Sequence, residues 1–378
     1  MKEQISLINL CTLNMGQSPD STTYNENKDG IPFYQGNADF GEIYPKNRIW
    51  CSAPVKIAQA GDILISVRAP IGALNFANEE CCIGRGVAAI TPIEEKCNKK
   101  YLYYALQSMT EDLQAKGTGS TFKAISKKVL EDVQIPIVTL PQQEKIASTL
   151  DKITSLISLH QKQLAKLDEL VKARFVEMFG DTESNSKHIE IRKLGSISEK
   201  ISDGVHAKPE YTVDGKPFLS VININTGKIV FDNCKYVSEE SYKKMIKSTF
   251  PEKGDVLYTK VGATYGIPAY VDTDRKFCLY VSVCLIKPKH DEINSRFLSL
   301  QMGMPFIKHQ ADKRIKGIGV PDLHLNQIKD FDILCPRRED QEKYVDFAHK
   351  VEEAKKPIQE SLNRLQTLKA SLMQEYFS

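Results

Sequence analysis

No run in this chain approaches the 18 or so consecutive apolar residues that a membrane-spanning helix needs. Its opening, MKEQISLINLCTLNMGQSPD, has no apolar core long enough for a secretory signal. A cytoplasmic protein is expected. Net charge is also scarce: 51 Lys and Arg against 48 Asp and Glu leave +3. Any surface for a polyanion must therefore be local. Among nine cysteines (Cys11, Cys51, Cys81, Cys82, Cys97, Cys234, Cys278, Cys284 and Cys335) there is no Cys-x-x-Cys pair and the count is odd. Buried free thiols in a reducing compartment are expected, and no zinc site.

Catalytic signatures are missing as well. There is no phosphate-binding G-x-x-x-x-G-K-[ST] loop, no G-x-S-x-G elbow and no Pro-Pro-Tyr tetrapeptide of the adenine-methyltransferase kind. Gly117-Thr118-Gly119 is a fragment of a nucleotide fingerprint in the wrong context, between a helix and a closing strand. Pro321-Asp322 and Glu353-Ala354-Lys355 resemble pieces of a nuclease motif, but the second lies on a helix where a charged face is the ordinary outcome. The seven histidines have no metal-ligand spacing, and His160 reads as a buried polar register device. No catalytic constellation and no metal site are expected.

What is present is a duplication. Residues 143–179, QEKIASTLDKITSLISLHQKQLAKLDELVKARFVEMF, read as one long helix, and residues 341–377, QEKYVDFAHKVEEAKKPIQESLNRLQTLKASLMQEYF, repeat it at an offset of 198 without a gap. The first copy carries a seam at Ile146, Leu150, Ile153, Ile157, His160, Leu164, Leu167, Val171, Arg174 and Met178, stepping by four and three, the coiled-coil period. Polar entries are not shared. His160 and Arg174 face Ile358 and Leu372 in the alignment, while Lys355 and Lys369 face Ile157 and Val171, so the two seams can complete one another. Each helix would span roughly 55 Å. Pro357 predicts a kink or break near Lys356.

The stretches before the helices also repeat. GDILISVRAPIGALNFA at 61–77 matches GDVLYTKVGATYGIPAYV at 254–271, and Pro32-Phe33 matches Pro217-Phe218. Strand-like runs, turns and one short helix give each head a mixed α/β (α+β) build. The expected order is a first head over 1–140, a long helix over 141–181, a second head over 187–336 and a second long helix over 337–378. For two equivalent heads the helices must lie antiparallel about a pseudo-two-fold axis.

Basic residues sit on glycine-rich turns, with amides and tyrosines nearby, a set suited to phosphates and base edges. In the first head these are Tyr34, Gln35, Asn37, Arg68, Arg85, Thr121 and Lys123. In the second they are His206, Asn223, Asn225, Lys260, Tyr265, Lys313, Arg314 and Lys316. A nucleic acid is the favoured partner. A self-contained enzyme and a stand-alone DNA-binding scaffold or repressor are the competing classes.

The strand-turn GDILISVRAPIG, the loop GTGSTFKAIS, the junction IPIVTLPQQEKIASTLDKI and the helix tail LVKARFVEMFGD resemble the DNA-specificity subunit of type I restriction-modification systems. The likeness covers essentially the whole chain, including its internal repeat. It implies double-stranded DNA as the partner and a non-catalytic subunit whose heads each read one half of an asymmetric bipartite site, about one DNA turn (roughly 34 Å) apart. The helices would set the unread spacer and dock two methyltransferase subunits, with Ile153, Ile157, Leu164, Leu167, Ile358, Leu362 and Leu365 as the docking candidates. S-adenosylmethionine would be bound by the methyltransferase, which flips the target adenine, and this chain would bind no cofactor. Cleavage and translocation would belong to a third, restriction subunit.

Overall fold

The computed structural model describes residues 3–119, 123–315 and 319–378. The chain divides into two compact units, residues 1–162 with 359–378, and residues 163–358. Each unit thus takes the start of one long helix and the end of the other.

In the first unit a four-stranded antiparallel sheet orders its strands Cys11–Met15, Val87–Pro92, Ile63–Ser66 and Leu74–Phe76. A five-stranded sheet lies beside it in sequence, with Ile31–Tyr34 running parallel to Cys81–Ile83. Gln4–Ser6 and Gln134–Pro136 close a two-stranded ribbon at the head's base. The second unit repeats the plan. Its four-stranded sheet orders Ser198–Asp203, Val283–Pro288, Val256–Thr259 and Pro268–Tyr270. Lys216–Leu219 runs parallel to Cys278–Leu279, and Ile191–Lys193 pairs with Asp332–Leu334. The central strands of both sheets are mostly apolar and buried, as strands covered on two faces tend to be. Eight of the nine thiols are buried and all are free. Burial pushes Cys11 and Cys97 up to about 12, so they act as small hydrophobes.

The long helices are Leu140–Phe179 and Arg338–Phe377. The glutamine of each Gln-Glu-Lys repeat explains their fixed entry. Gln143 is buried, accepts from the Asn98 N–H at 2.7 Å and donates to the Val138 carbonyl at 2.9 Å. Gln341 does the same with Asn294 at 2.8 Å and Pro336 at 2.8 Å. Asn98 and Asn294 are themselves N-caps of the short helices Lys99–Ser108 and Ser295–Met302. One amide thereby ties the start of each long helix to a capped helix of its own head.

Within each unit the two helical segments run antiparallel. In the first, His160 Nε2 lies 3.0 Å from Ser361 Oγ. Phe377 joins the head core containing Tyr101, Ala147 and Leu150. In the second, the Tyr344 hydroxyl donates to the Val171 carbonyl at 3.1 Å, and Lys355 meets Asp168 at 2.6 Å. Polar seam residues thus find partners across the pair: His160 a serine, Lys355 an aspartate. Lys369 lies over the Tyr104 ring at 5.7 Å, and burial holds its amine below the usual range.

Of the kink or break expected near Lys356, the break does not occur: the helix runs unbroken through Pro357. Proline removes one N–H and frees the carbonyl four residues earlier. Pro357 and Glu353 are both exposed, so that carbonyl can be met by water. Val351 and Leu362, buried on either side, hold the helix in place.

Candidate nucleic-acid interface

In the first head, backbone bonds gather residues distant in sequence onto one face. The Gly86 N–H donates to the Gln35 carbonyl at 3.0 Å, the Val67 N–H to the Gly86 carbonyl at 2.9 Å, and the Ala69 N–H to the Lys123 carbonyl at 3.0 Å. Gln35, Arg68, Arg85 and Lys123 follow these links, and all four are exposed. Only glycine permits the approach: a Cβ on Gly86 would stand 2.3 Å from the Gln35 carbonyl oxygen. Asn37 opens the short helix Asn37–Asp39, half-buried beside this strip. Asp39 anchors the strip by accepting from the Gln35 N–H at 2.7 Å while pairing with Arg48 at 2.5 Å.

Tyr34 is different. It is fully buried, with its hydroxyl donating to Asn47 at 2.5 Å, so its polar group is not presented to a duplex. Burial and nearby carboxylates raise its pKa. Thr121 and Lys316 lie outside the described residues.

The second head distributes its candidates more widely. His206 and Asn225 are exposed, and the half-buried Tyr265 donates to Asp312 at 2.5 Å with Lys308 3.8 Å above its ring. Asn223 is an interior cap, accepting from the Ser220 N–H at 3.0 Å and donating to the Val230 carbonyl at 3.3 Å. That is the anchoring role of Asp39 in the first head. Lys260 is also interior, 3.2 Å from Asp322 and 3.7 Å from Asp203. Burial pushes the Asp203 carboxyl above the usual range, with Lys260 and His206 opposing. Lys313 is exposed and paired with Glu183 at 3.1 Å. Arg314 binds Asp330 at 2.9 Å and stacks on Phe331, which commits it to the fold. Tyr34, Asn223 and Lys260 are buried and satisfied where they sit, and the half-buried Arg314 is held by Asp330, so none of the four presents a free polar group as the sequence reading expected.

Asn225 lies apart, on a cavity of about 500 Å³ lined also by Lys172, Arg296, Tyr344 and Glu352. A further candidate that the sequence reading did not single out is Tyr211, whose exposed ring carries Lys235 at 4.3 Å and Lys208 at 5.9 Å. The signal available was the spacing Lys208-x-x-Tyr211 on a turn-rich stretch.

The seam residues also need re-reading. Ile153 and Leu362 are buried, and Ile157, Leu164, Leu167, Ile358 and Leu365 are half-buried. Facing seams cover one another, so they leave little apolar surface for a third chain. The large apolar side chains left exposed on the helices are Leu156, Leu159, Leu170, Val176 and Leu368, with Leu140 at a helix start.

The repeat has a counterpart among known proteins. The sequence profile described as "Type I restriction modification DNA specificity domain" matches residues 2–169 and again 186–367. The chain belongs to the type I restriction-modification DNA-specificity family. A putative specificity subunit of the type I restriction enzyme MjaX, from Methanocaldococcus jannaschii, is 42% identical over 158 residues. That match spans 42% of this chain and 37% of the relative. The EcoBI specificity subunit of Escherichia coli is 22% identical over 99% of this chain and 85% of its own length. The crystal structure of a type I S subunit from M. genitalium is similar in fold over 100% of this chain and 96% of that one, with a TM-score of 0.59 at 16% identity. As a specificity-family chain with two matched domains, the protein carries the family's repeat in both sequence and topology.

Proposed function

We propose that this chain is the non-catalytic reader of a type I complex, each head recognising one half of an asymmetric, bipartite DNA site. The observation that carries the reading is the first head's strip: four exposed polar or basic side chains held together by backbone bonds on closely approaching loops. Such a face can bind phosphates and aim amide and guanidinium groups at base edges. The second head keeps the scaffold and changes the side chains, which suits a second, different half-site. The long helices fix the unread spacer. Their exposed Leu156, Leu159, Leu170 and Leu368 are the better candidates for docking two methyltransferase subunits than the covered seam. S-adenosylmethionine belongs to those partners, and cleavage to a restriction subunit.

The test is a methylation map. The chain is co-expressed with its methyltransferase subunit in a methylation-free host, and N6-methyladenine is located by sequencing. A split motif with one modified adenine in each half is expected. A continuous palindrome would show that two independent readers are not at work. Methylation or cleavage by the purified chain alone would overturn the non-catalytic assignment.

A further inference from the structure

Strand register pairs the two heads residue by residue. Ser66 opposes Val87 as Thr259 opposes Val283, and Ala88 opposes Met15 as Cys284 opposes Asp203. An isolated bridge joins Arg68 to Ala124 in the first head and Val261 to Asp322 in the second. The Ile125 N–H donates to the Val67 carbonyl at 2.9 Å, and the Leu323 N–H to the Lys260 carbonyl at 2.9 Å. Met15, Val67 and Ala124 are therefore the counterparts of Asp203, Lys260 and Asp322.

An apolar trio in one head is thus an ionic trio in the other. The Lys260 side chain is only 5% exposed, yet it carries a charge between Asp203 and Asp322. It also donates to the Leu323 carbonyl at 3.3 Å. Gly262 N–H donates to the Pro321 carbonyl at 2.9 Å. Both bonds stitch residues 321–323 to the turn that carries Tyr265. Asp203 Oδ1 is buried with no hydrogen-bond partner among the described residues, so the network is not the most stable filling of this space. A hydrophobic trio of the first head's kind would pack there without that orphaned acceptor. His206 stands at the mouth of the network, its Nε2 3.7 Å from Asp203. The ionic trio therefore joins three segments: the strand end with His206, the turn at 261–265, and the loop at 321–323.

We propose that Lys260 is a positioning residue for the second head's half-site, setting loop 321–323 and the 261–265 turn in register with His206 without itself touching DNA. This rests on the reading that the loop faces meet DNA. In this head the charge pairs would serve as a registry device, holding one arrangement of the three segments. Discrimination by the second head then depends on the trio, and discrimination by the first does not.

Two variants test it in the full chain assembled with its methyltransferase. Lys260→Met leaves two carboxylates facing each other. Asp203→Met with Lys260→Val and Asp322→Ala installs the first head's trio. Binding is measured on duplexes carrying the mapped motif, or that motif with one half scrambled, alongside the thermal midpoint of each protein. Lys260→Met is expected to lower the midpoint and weaken second-half discrimination by about tenfold or more, the scale of one mismatched base pair. The triple variant is expected to recover the midpoint but not the second-half discrimination, with first-half discrimination unchanged in both. A triple variant that discriminates as wild type does would reduce Lys260 to a stability role and overturn the proposal. Wild-type binding indifferent to scrambling either half would instead overturn the underlying DNA reading, and the proposal with it.

Discussion

At the scale of single residues, exposure separates contact from support. Arg68 and Lys123 are free of intramolecular ion pairs among the described residues and stand on the first head's strip. Arg68→Ala should weaken binding to one half-site by about 1–3 kcal/mol, the range for a base-reading side chain, and leave the other half untouched. Equal loss at both halves, read by titrating half-scrambled duplexes, would contradict the two-reader assignment. Asp330 illustrates support. Its hydrogen bond with Arg314 and then that with Lys193 hold its carboxyl below the usual aspartate range. A depressed carboxylate stabilises the fold above its unfolded pKa of about 4 and loses that contribution as pH falls through the lower folded value. Asp330 is more than half exposed, so Asp330→Asn should cost only about 0.5 kcal/mol at neutral pH. The gap between the two thermal midpoints should close on acidification below the normal aspartate range. A gap that widens there would reverse the sign of this account.

At the scale of elements, the long helices are parts of the heads as much as connectors. Phe175 is fully buried near the end of the first helix. Its ring stacks on Phe297 at 5.7 Å and meets Phe179 at 5.1 Å and Tyr344 at 5.3 Å. That cluster welds both helices to the second head's core. Phe175→Ala should cost about 3–5 kcal/mol, whereas Val176→Ala, one residue on and exposed, should cost a few tenths at most. Proteolysis within residues 187–336 reports the difference, since loosening the helix should open this head first. Equal sensitivity in both variants would mean that the helix end is not part of the head's core.

At the scale of the whole molecule, the repeat makes a ruler testable. Inserting one heptad at equivalent positions of both helices preserves the seam. It adds about 10 Å at 1.5 Å per residue. The methylated motif should keep both half-sites and gain about three base pairs of spacer at 3.4 Å per step. An unchanged spacer would show that the helices do not set it.

The sequence by itself determined the two-fold organisation, the long helices and their start, and the family. These are periodic or local signals: a three-four apolar step persists whatever lies beside it, and the Gln-Glu-Lys repeat is legible before its clamp is known. The helix interruption read from Pro357 was a local rule outweighed by packing on either side and by an exposed carbonyl. Composition named candidate contacts on glycine-rich turns of both heads. It could not separate Arg68 from Lys260, because both are basic residues at the same glycine-rich turn. One points outward and the other is folded between two aspartates. Only the tertiary structure decided that, because burial depends on which distant segments close over a side chain: the segments of Asp203 and Asp322 close over Lys260, and none among the described residues closes over Arg68. The same holds for the seam, where each helix looks available until its antiparallel partner covers it.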